Sequence, residues 1–185
     1  MFIRPVLVVL LISIWTHCSY AQTKYLKIKS GLNVSSAVNV DNSSPKLGYH
    51  FGIGGNLKLS EDWAFQPEVL YVNEGYHNSS FKYGLNYINL PLLFKYQFKT
   101  FFFYGGPQVG LLLFARQIDL NSKEKQDVTY KYNSLEISLA TGLGFMITEN
   151  MGVDGRCTID YANQSNDPDN INNLVFQVSL FYILK

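Results

Sequence analysis

The chain has 185 residues, 15 Lys and Arg against 14 Asp and Glu, and 47% hydrophobic residues, of which none of the uncharged runs reaches the roughly 20 residues of a membrane helix. So even a charge balance gives no electrostatic case for nucleic acid or acidic substrates. Two cysteines, Cys18 and Cys157, are too few for a disulfide scaffold.

The first segment is a leader. Met1 to Arg4 carries one positive charge, Pro5 to Trp15 is mostly apolar, and Ser19-Tyr20-Ala21 offers the small residues a signal peptidase reads. A secretory signal is expected over 1–21, cut between Ala21 and Gln22, with one domain over 22–185. Trp15-Thr16-His17 lacks the small apolar residues that precede a lipidated cysteine, so Cys18 is not read as an anchor. Cleavage removes Arg4 and Cys18, which equalises the charges and leaves Cys157 without a partner.

Eight strand-like segments follow. Near Tyr25 to Val34, Leu26, Ile28, Leu32 and Val34 share one parity, and Lys27, Lys29 and Asn33 the other. After the turn cluster Asp41 to Pro45, the segment Leu47–Leu59 sets Tyr49, Phe51, Ile53, Leu57 and Leu59 against His50, Gly52, Gly54, Asn56 and Lys58. Ser60-Glu61-Asp62 reads as a tight turn. In Trp63 to Asn73, Trp63, Phe65, Val69 and Tyr71 oppose Gln66 and Glu68, and 75–84 reads as a polar loop.

Residues 85–114 hold two aromatic-rich runs around the polar break Gln97 to Thr100. Each is long enough for the roughly 9–11 residues of a tilted membrane strand. Tyr, Phe, Leu and Ile suit a pleated surface, and Pro91, Gly105, Gly106 and Pro107 argue against a helix. The pair is read as a hairpin, with Ile88, Leu90, Leu92, Phe94 and Tyr96 on the lipid side and Asn86, the side of Tyr87, and Lys95 opposite. Pairing Tyr96 with Phe101 would bring Pro91 opposite Gly106, with Pro67 near Pro91, and so gather three prolines in one weakened patch of wall.

Arg116 to Tyr132 is the longest polar stretch. Segment six, Asn133 to Ile147, places Leu135, Ile137, Leu139, Leu143, Phe145 and Ile147 opposite Glu136, Ser138, Ala140, Gly142 and Gly144. In segment seven, Met151, Val153, Cys157, Ile159 and Tyr161 oppose Asp154, Arg156, Thr158 and Asp160. A polar loop leads to the last strand, Leu174 to Lys185.

Three short breaks alternate with four long ones, the rhythm of an outer-membrane barrel with short periplasmic turns and long extracellular loops. Strand charges fall on the parity that carries Gly, Ala and Ser, so polar residues face a lumen and apolar ones lipid. A soluble lipocalin-like barrel would reverse this. The expected fold is all-β, an eight-stranded antiparallel up-and-down transmembrane barrel with both termini in the periplasm. Its interior is just wide enough for side chains to fill. Two aromatic girdles are expected, one including Trp63, Phe65, Tyr96, Phe98, Phe101, Phe102 and Phe103, the other Tyr49, Phe51, Tyr71, Tyr76, Phe81, Tyr83, Tyr87 and Tyr161.

Inward parity gathers Glu68, Lys95, Glu136, Asp154, Arg156 and Asp160 as a structural lumen cluster, with Lys58 low on the second strand. Buried charges must pair. Arg156 is therefore expected to meet a carboxylate, Glu68 before the others, and to leave the lumen plugged. Cys157 is expected to face lipid.

The segments GLNVS (31–35), FQPEVLYVNEG (65–75), YINLPLLFKYQF (87–98), FYGGPQVGLLL (103–113), LATGLGF (139–145) and FQVSLFY (176–182) together resemble the PorT-like outer-membrane β-barrel family of Gram-negative bacteria. The resemblance implies an eight-stranded barrel in the outer membrane. For most of that family no biochemical activity is known, and its name-giving branch is linked to protein secretion. Gln177, Ser179, Tyr182 and Leu184 have the spacing of a barrel-assembly signal, with Ser in place of Gly and an added Lys185. The barrel-assembly machinery and the outer-membrane bilayer are the expected partners, with a protein partner engaged through the loops.

No catalytic, cofactor or metal site is expected. Gly52-Ile53-Gly54-Gly55 lacks the third glycine and the helix of a dinucleotide loop, and no CxxC, HExxH or GxSxG occurs. Asp167 and Asp169 sit in a loop too solvated for the six or more oxygens of a hard-cation site. A lipid-modifying enzyme built on His50, His77, Ser79 and Ser80 is the enzymatic alternative, and loop-based adhesion the binding alternative. A structural or assembly- and secretion-associated barrel without catalysis is the leading reading.

Overall fold

The computed structural model describes residues 24–37, 43–160 and 173–184. The predicted leader, the turn residues Asp41 and Asn42, Tyr161, Asp167, Asp169 and Lys185 lie outside the described residues. Eight long strands follow one another: β1 (Lys24–Ala37), β2 (Ser44–Lys58), β3 (Trp63–Glu74), β4 (Phe81–Phe98), β5 (Phe101–Asp119), β6 (Leu135–Met146), β7 (Met151–Asp160) and β8 (Asn173–Leu184). Each pairs antiparallel with its chain neighbours. The last returns to the first, from Leu26 opposite Leu184 to Ala37 opposite Asn173, and closes an eight-stranded barrel. Closure leaves no long edge, which is what a β-structure in lipid requires of its backbone.

The alternation read along each strand sets which wall a residue joins. On β1, Lys27, Lys29, Asn33 and Ser35 are buried while Leu26, Ile28, Leu32 and Val34 are exposed. The same holds for Glu136 and Ser138 against Leu135 and Ile137 on β6, and for Asp154, Arg156 and Thr158 against Ile159 on β7. The polar core and apolar exterior fit a lipid solvent and would be unstable in water.

The β4–β5 turn is tighter than expected. Phe98 pairs with Phe101, and Lys99 takes a positive φ of 55° in the two-residue connection. The register therefore moves by two from the expected pairing. Tyr96 lies opposite Phe103, and Pro91 opposite Gln108 instead of Gly106. Pro67, Pro91 and Pro107 still occupy three consecutive strands, opposite Leu92, Gln108 and Leu139. The paired registers skip Glu68–Val69 against Leu90–Pro91, and Leu92–Leu93 against Gly106–Pro107. Proline brings no N–H to a ladder, and the gaps sit where it is missing.

A bulge reverses parity farther along. Asn86 pairs with Phe114 but Tyr87 with Leu112, so Leu113 is the extra residue. Beyond it Ala115 faces in and Arg116 out. On β4 Asn86 stands on the outer parity, against the expected assignment. Tyr87 shares the inner parity of Lys95, as the alternation implies, and so leaves the lipid-facing girdle. Tyr87 packs with Leu85, Ala115, Val128 and Tyr132, and Phe102 with Leu93, Tyr104 and Phe181. Tyr76 is buried too. These three rings leave the expected girdles because strand parity, not nearness to a strand end, decides whether a ring reaches lipid.

The expected loops are partly ordered strand. Gly75, at φ 139°, ends β3 and introduces a short strand, Tyr76–His77, that pairs with Ser44–Pro45 and with Lys82. Lys125–Asp127 pairs with Arg116–Ile118, and a 3-10 turn at Thr129–Lys131 carries Val128 and Tyr132 back inside.

Candidate functional site

The candidate site is the chain of charged and aromatic side chains inside the barrel. Inward parity on β3 and β7 aims Glu68 and Arg156 at each other, and Arg156 Nη2 donates to Glu68 Oε2 at 2.6 Å with neither side chain exposed. The other oxygen, Glu68 Oε1, lies 2.7 Å from Lys27 Nζ and accepts from Gln66 Nε2 at 2.8 Å. Asp154 Oδ1 accepts from Lys29 Nζ at 2.7 Å and from the Tyr104 hydroxyl at 3.0 Å. Arg156 Nε donates weakly to that hydroxyl at 3.4 Å, which joins the two carboxylates into one network.

Two glycines make these meetings sterically feasible. Gly54 stands in register between Lys27 and Glu68, and a Cβ there would lie 3.0 Å from Glu68 Cγ and 3.0 Å from Lys27 Cε. Gly142 stands between Tyr104 and Arg156, and a Cβ there would lie 2.5 Å from the Tyr104 hydroxyl. A side chain at either position would occupy the space through which its neighbours bond.

Cations outnumber carboxylates in this half of the lumen, and ring faces accommodate the excess. Among the described residues Lys95 forms no ion pair, and it lies 4.2 Å above the centroid of Phe102. Lys27 lies 5.2 Å from the Phe181 centroid, and the Arg156 guanidinium 5.1 Å from that of Tyr104. Desolvated cation–π contacts of this kind are worth up to about 2 kcal/mol.

Glu136 and Asp160 do not join this network. They form a second group toward the long-connection end, hydrogen-bonded to each other with Glu74 nearby. Asn173 ties it together: its amide donates to Asp160 Oδ2 at 3.0 Å, and Nδ2 lies 3.5 Å from Glu74 Oε1. The six residues picked from parity therefore split into two sets. Lys58 is exposed rather than luminal. Sequence reasoning passed over Lys27 and Lys29 as partners, though both carried inward parity. It lost Glu74 by ending the third strand at Asn73, and it assigned Tyr104 to neither wall.

Toward the same end, the β5–β6 connection turns Val128 and Tyr132 inward against Leu85, Tyr87 and Ala115. Val128 donates its amide to the Ala115 carbonyl at 3.0 Å, and Ala115 donates to Thr129 Oγ1 at 2.9 Å. The Tyr76 and Tyr132 hydroxyls meet at 3.2 Å. Thr129 donates its amide to Asp127 Oδ1 at 2.9 Å, and this bond holds the Asp127 carboxyl below the usual range.

The residues of the enzymatic alternative are dispersed. His50 Nε2 lies 2.9 Å from Ser179 Oγ, across Gly31, but both side chains are buried in the barrel wall. His77 is in the short strand, and the Asn78 side chain accepts from the Ser80 and Phe81 amides as a turn does. Among the described residues, no three His, Cys, Asp or Glu side chains converge as a metal site.

A closed, eight-stranded antiparallel barrel with a polar interior and an apolar wall is the architecture of an outer-membrane barrel. The model of the outer membrane protein beta-barrel domain matches residues 20–159, and the chain belongs to that family. No curated protein matches it in sequence. In structure it is similar to Neisserial surface protein A, with TM-score 0.62 and 13% identity over 87% of this chain and 99% of that one. It is also similar to Ail, the attachment invasion locus protein of Yersinia pestis, with TM-score 0.55 and 14% identity over 88% of this chain and 100% of that one. Ail in complex with the heparin analogue sucrose octasulfate superposes with TM-score 0.57 at 13% identity. These similarities show the fold.

Proposed function

We propose that this chain is a non-catalytic barrel with a plugged lumen, a structural or assembly- and secretion-associated protein of the outer membrane. The signal would be removed near Ala21–Gln22 and the barrel-assembly machinery would insert the rest. The observation that carries the reading is the Arg156–Glu68 pair, closed across the lumen with both side chains fully buried. Water and solutes would have to break a buried ion pair to pass. The motifs shared with the PorT-like family support the secretion association, and the inward turn of Val128 and Tyr132 supports a closed state from the loop end.

Planar-bilayer recording tests it. The native protein is expected to show no large, stable conductance, while a variant lacking both charges, Arg156→Ala with Glu68→Ala, opens discrete steps. Steady native conductance would overturn the reading.

A second reading, ligand binding at the loop end, is favoured by the ordered ribbon that extends β4 and β5 past the bulge. The sucrose octasulfate complex shows that one barrel of this fold, Ail, takes a sulfated ligand.

A further inference from the structure

We propose that a cleft at the loop end, lined by Lys46, His77 and Lys82, binds a phosphate group, with the headgroup of an outer-leaflet lipid as its source. The cleft encloses about 300 Å³, and Pro45, Leu47 and Leu120 complete its lining. Among the described residues that line it, none is acidic. The inference does not depend on the closed lumen.

Three local features build the cleft. First, the short strand after Gly75 inserts between β2 and β4, pairing His77 with Lys82 on one side and with Ser44 on the other. That insertion brings the start of β2 beside the start of β4. Second, the amide of Leu120 donates to the Ser80 carbonyl at 2.9 Å, which folds Leu120 over the same ribbon. Third, Lys46, itself buried, is held by Asn73 Oδ1 at 2.7 Å and the Glu74 carbonyl at 2.9 Å. An ammonium pinned by two neutral acceptors is pre-organised for an anion, and phosphate accepts charge-assisted bonds from Lys as a point charge.

Electrostatics favours an occupant of negative charge. Burial disfavours the Lys46 ammonium most, the nearby Lys82 charge adds to this, and the Glu74 carboxylate offsets it in part. Lys82 itself is exposed and His77 half-buried, so both can reach a ligand from solvent or from the membrane surface. The position in the wall selects the source. Leu47 is 66% exposed and stands on the same lipid-facing parity as Tyr49 and Phe51. The cleft therefore opens where the apolar wall gives way to the polar ribbon, the level of headgroups. A phosphate bound there would place its attached acyl chains along Leu47 and Tyr49.

The test uses the full folded protein in zwitterionic detergent micelles, with the His77 imidazole resonances as reporter. One arm adds phosphatidate to the micelles, and the other adds inorganic phosphate to the buffer. Phosphatidate is expected to shift the His77 signals saturably, and Lys82→Gln to weaken that binding about tenfold by removing a charge-assisted contact. Because Lys46 is tied into the fold, Lys46→Met is read only after its heat-modifiable gel mobility shows a closed barrel. Lys82→Gln, an exposed change, needs no such rescue. Saturation by phosphatidate at far lower concentration than by free phosphate assigns the lipid source. Equal response to free phosphate overturns that source in favour of a soluble phosphate ligand. No saturable shift with either probe, or a shift unchanged in Lys82→Gln, overturns the site.

Discussion

Arg156 on β7 and Glu68 on β3 meet at 2.6 Å from opposite walls of the barrel, and each has further partners on a third strand or a neighbouring one. The pair is thus a tie across the fold. Arg156→Leu is expected to cost about 3–5 kcal/mol of unfolding free energy by stranding a buried carboxylate. Urea titration in lipid vesicles measures it. The double change Arg156→Leu with Glu68→Leu should recover a large part of that loss, and a double variant as unstable as the single one would contradict the account.

Gly142 is expected to tolerate no larger residue. Gly142→Ala places a methyl group against the Tyr104 hydroxyl and so parts Tyr104 from Arg156 and Asp154. Overpacking of this kind costs about 1–3 kcal/mol. A methyl group there would also lie 2.5 Å from the Gly155 carbonyl oxygen and from Tyr104 Cζ, which Tyr104→Phe keeps. The double variant with Tyr104→Phe should therefore recover little, and equilibrium unfolding of the single and double variants checks this.

Cys157 shares the outer parity of Val153 and Ile159 and lines a groove on the outer wall with Phe94, Gly105, Thr141 and Phe176. In intact membranes an apolar maleimide should label it quickly and a charged one slowly. The reverse order would place it in the lumen.

The β5–β6 connection should loosen in acid. Asp127 has its carboxyl held low by the Thr129 amide and hydroxyl, so its contribution is present above the ordinary carboxylate pKa of about 3.9 and is lost as pH falls through the lower folded value. Amide exchange at Val128 and Thr129 is expected to accelerate on acidification below that range. Asp127→Asn keeps an acceptor oxygen and should abolish the pH dependence.

Much of the barrel was legible because a period of two is a strong signal when one face meets lipid. Leu135, Ile137 and Leu139 against Glu136 and Ser138 needed no tertiary information, and the same parity put Arg156 and Glu68 inside. What parity cannot carry is register. The Lys99-Thr100 turn and the extra residue Leu113 each depend on local backbone geometry, and they moved Pro91 by two partners and turned Ala115 inward. Depth was equally hidden. Glu136 and Asp160 had the right parity for a partner of Arg156, but they lie along the barrel axis from it, and one-dimensional spacing says nothing about that distance. The loop end was least legible, because Tyr76, Val128 and Tyr132 are single apolar residues in polar stretches and carry no periodicity.

The seam between β1 and β8 has a consequence for how the barrel forms. Seven of its eight strand pairings join neighbours in the chain, whereas the eighth brings Leu26 to Leu184 and Ala37 to Asn173. A meander can grow by short loop closures, each with a small entropic cost, but this last ladder closes almost the whole chain at once. Until it does, the first and last strands are two open edges, and the network around Asp154 lacks an enclosing wall. Loss of the final few residues would therefore damage folding out of proportion to the contacts they make, since it removes the rungs on which closure is completed.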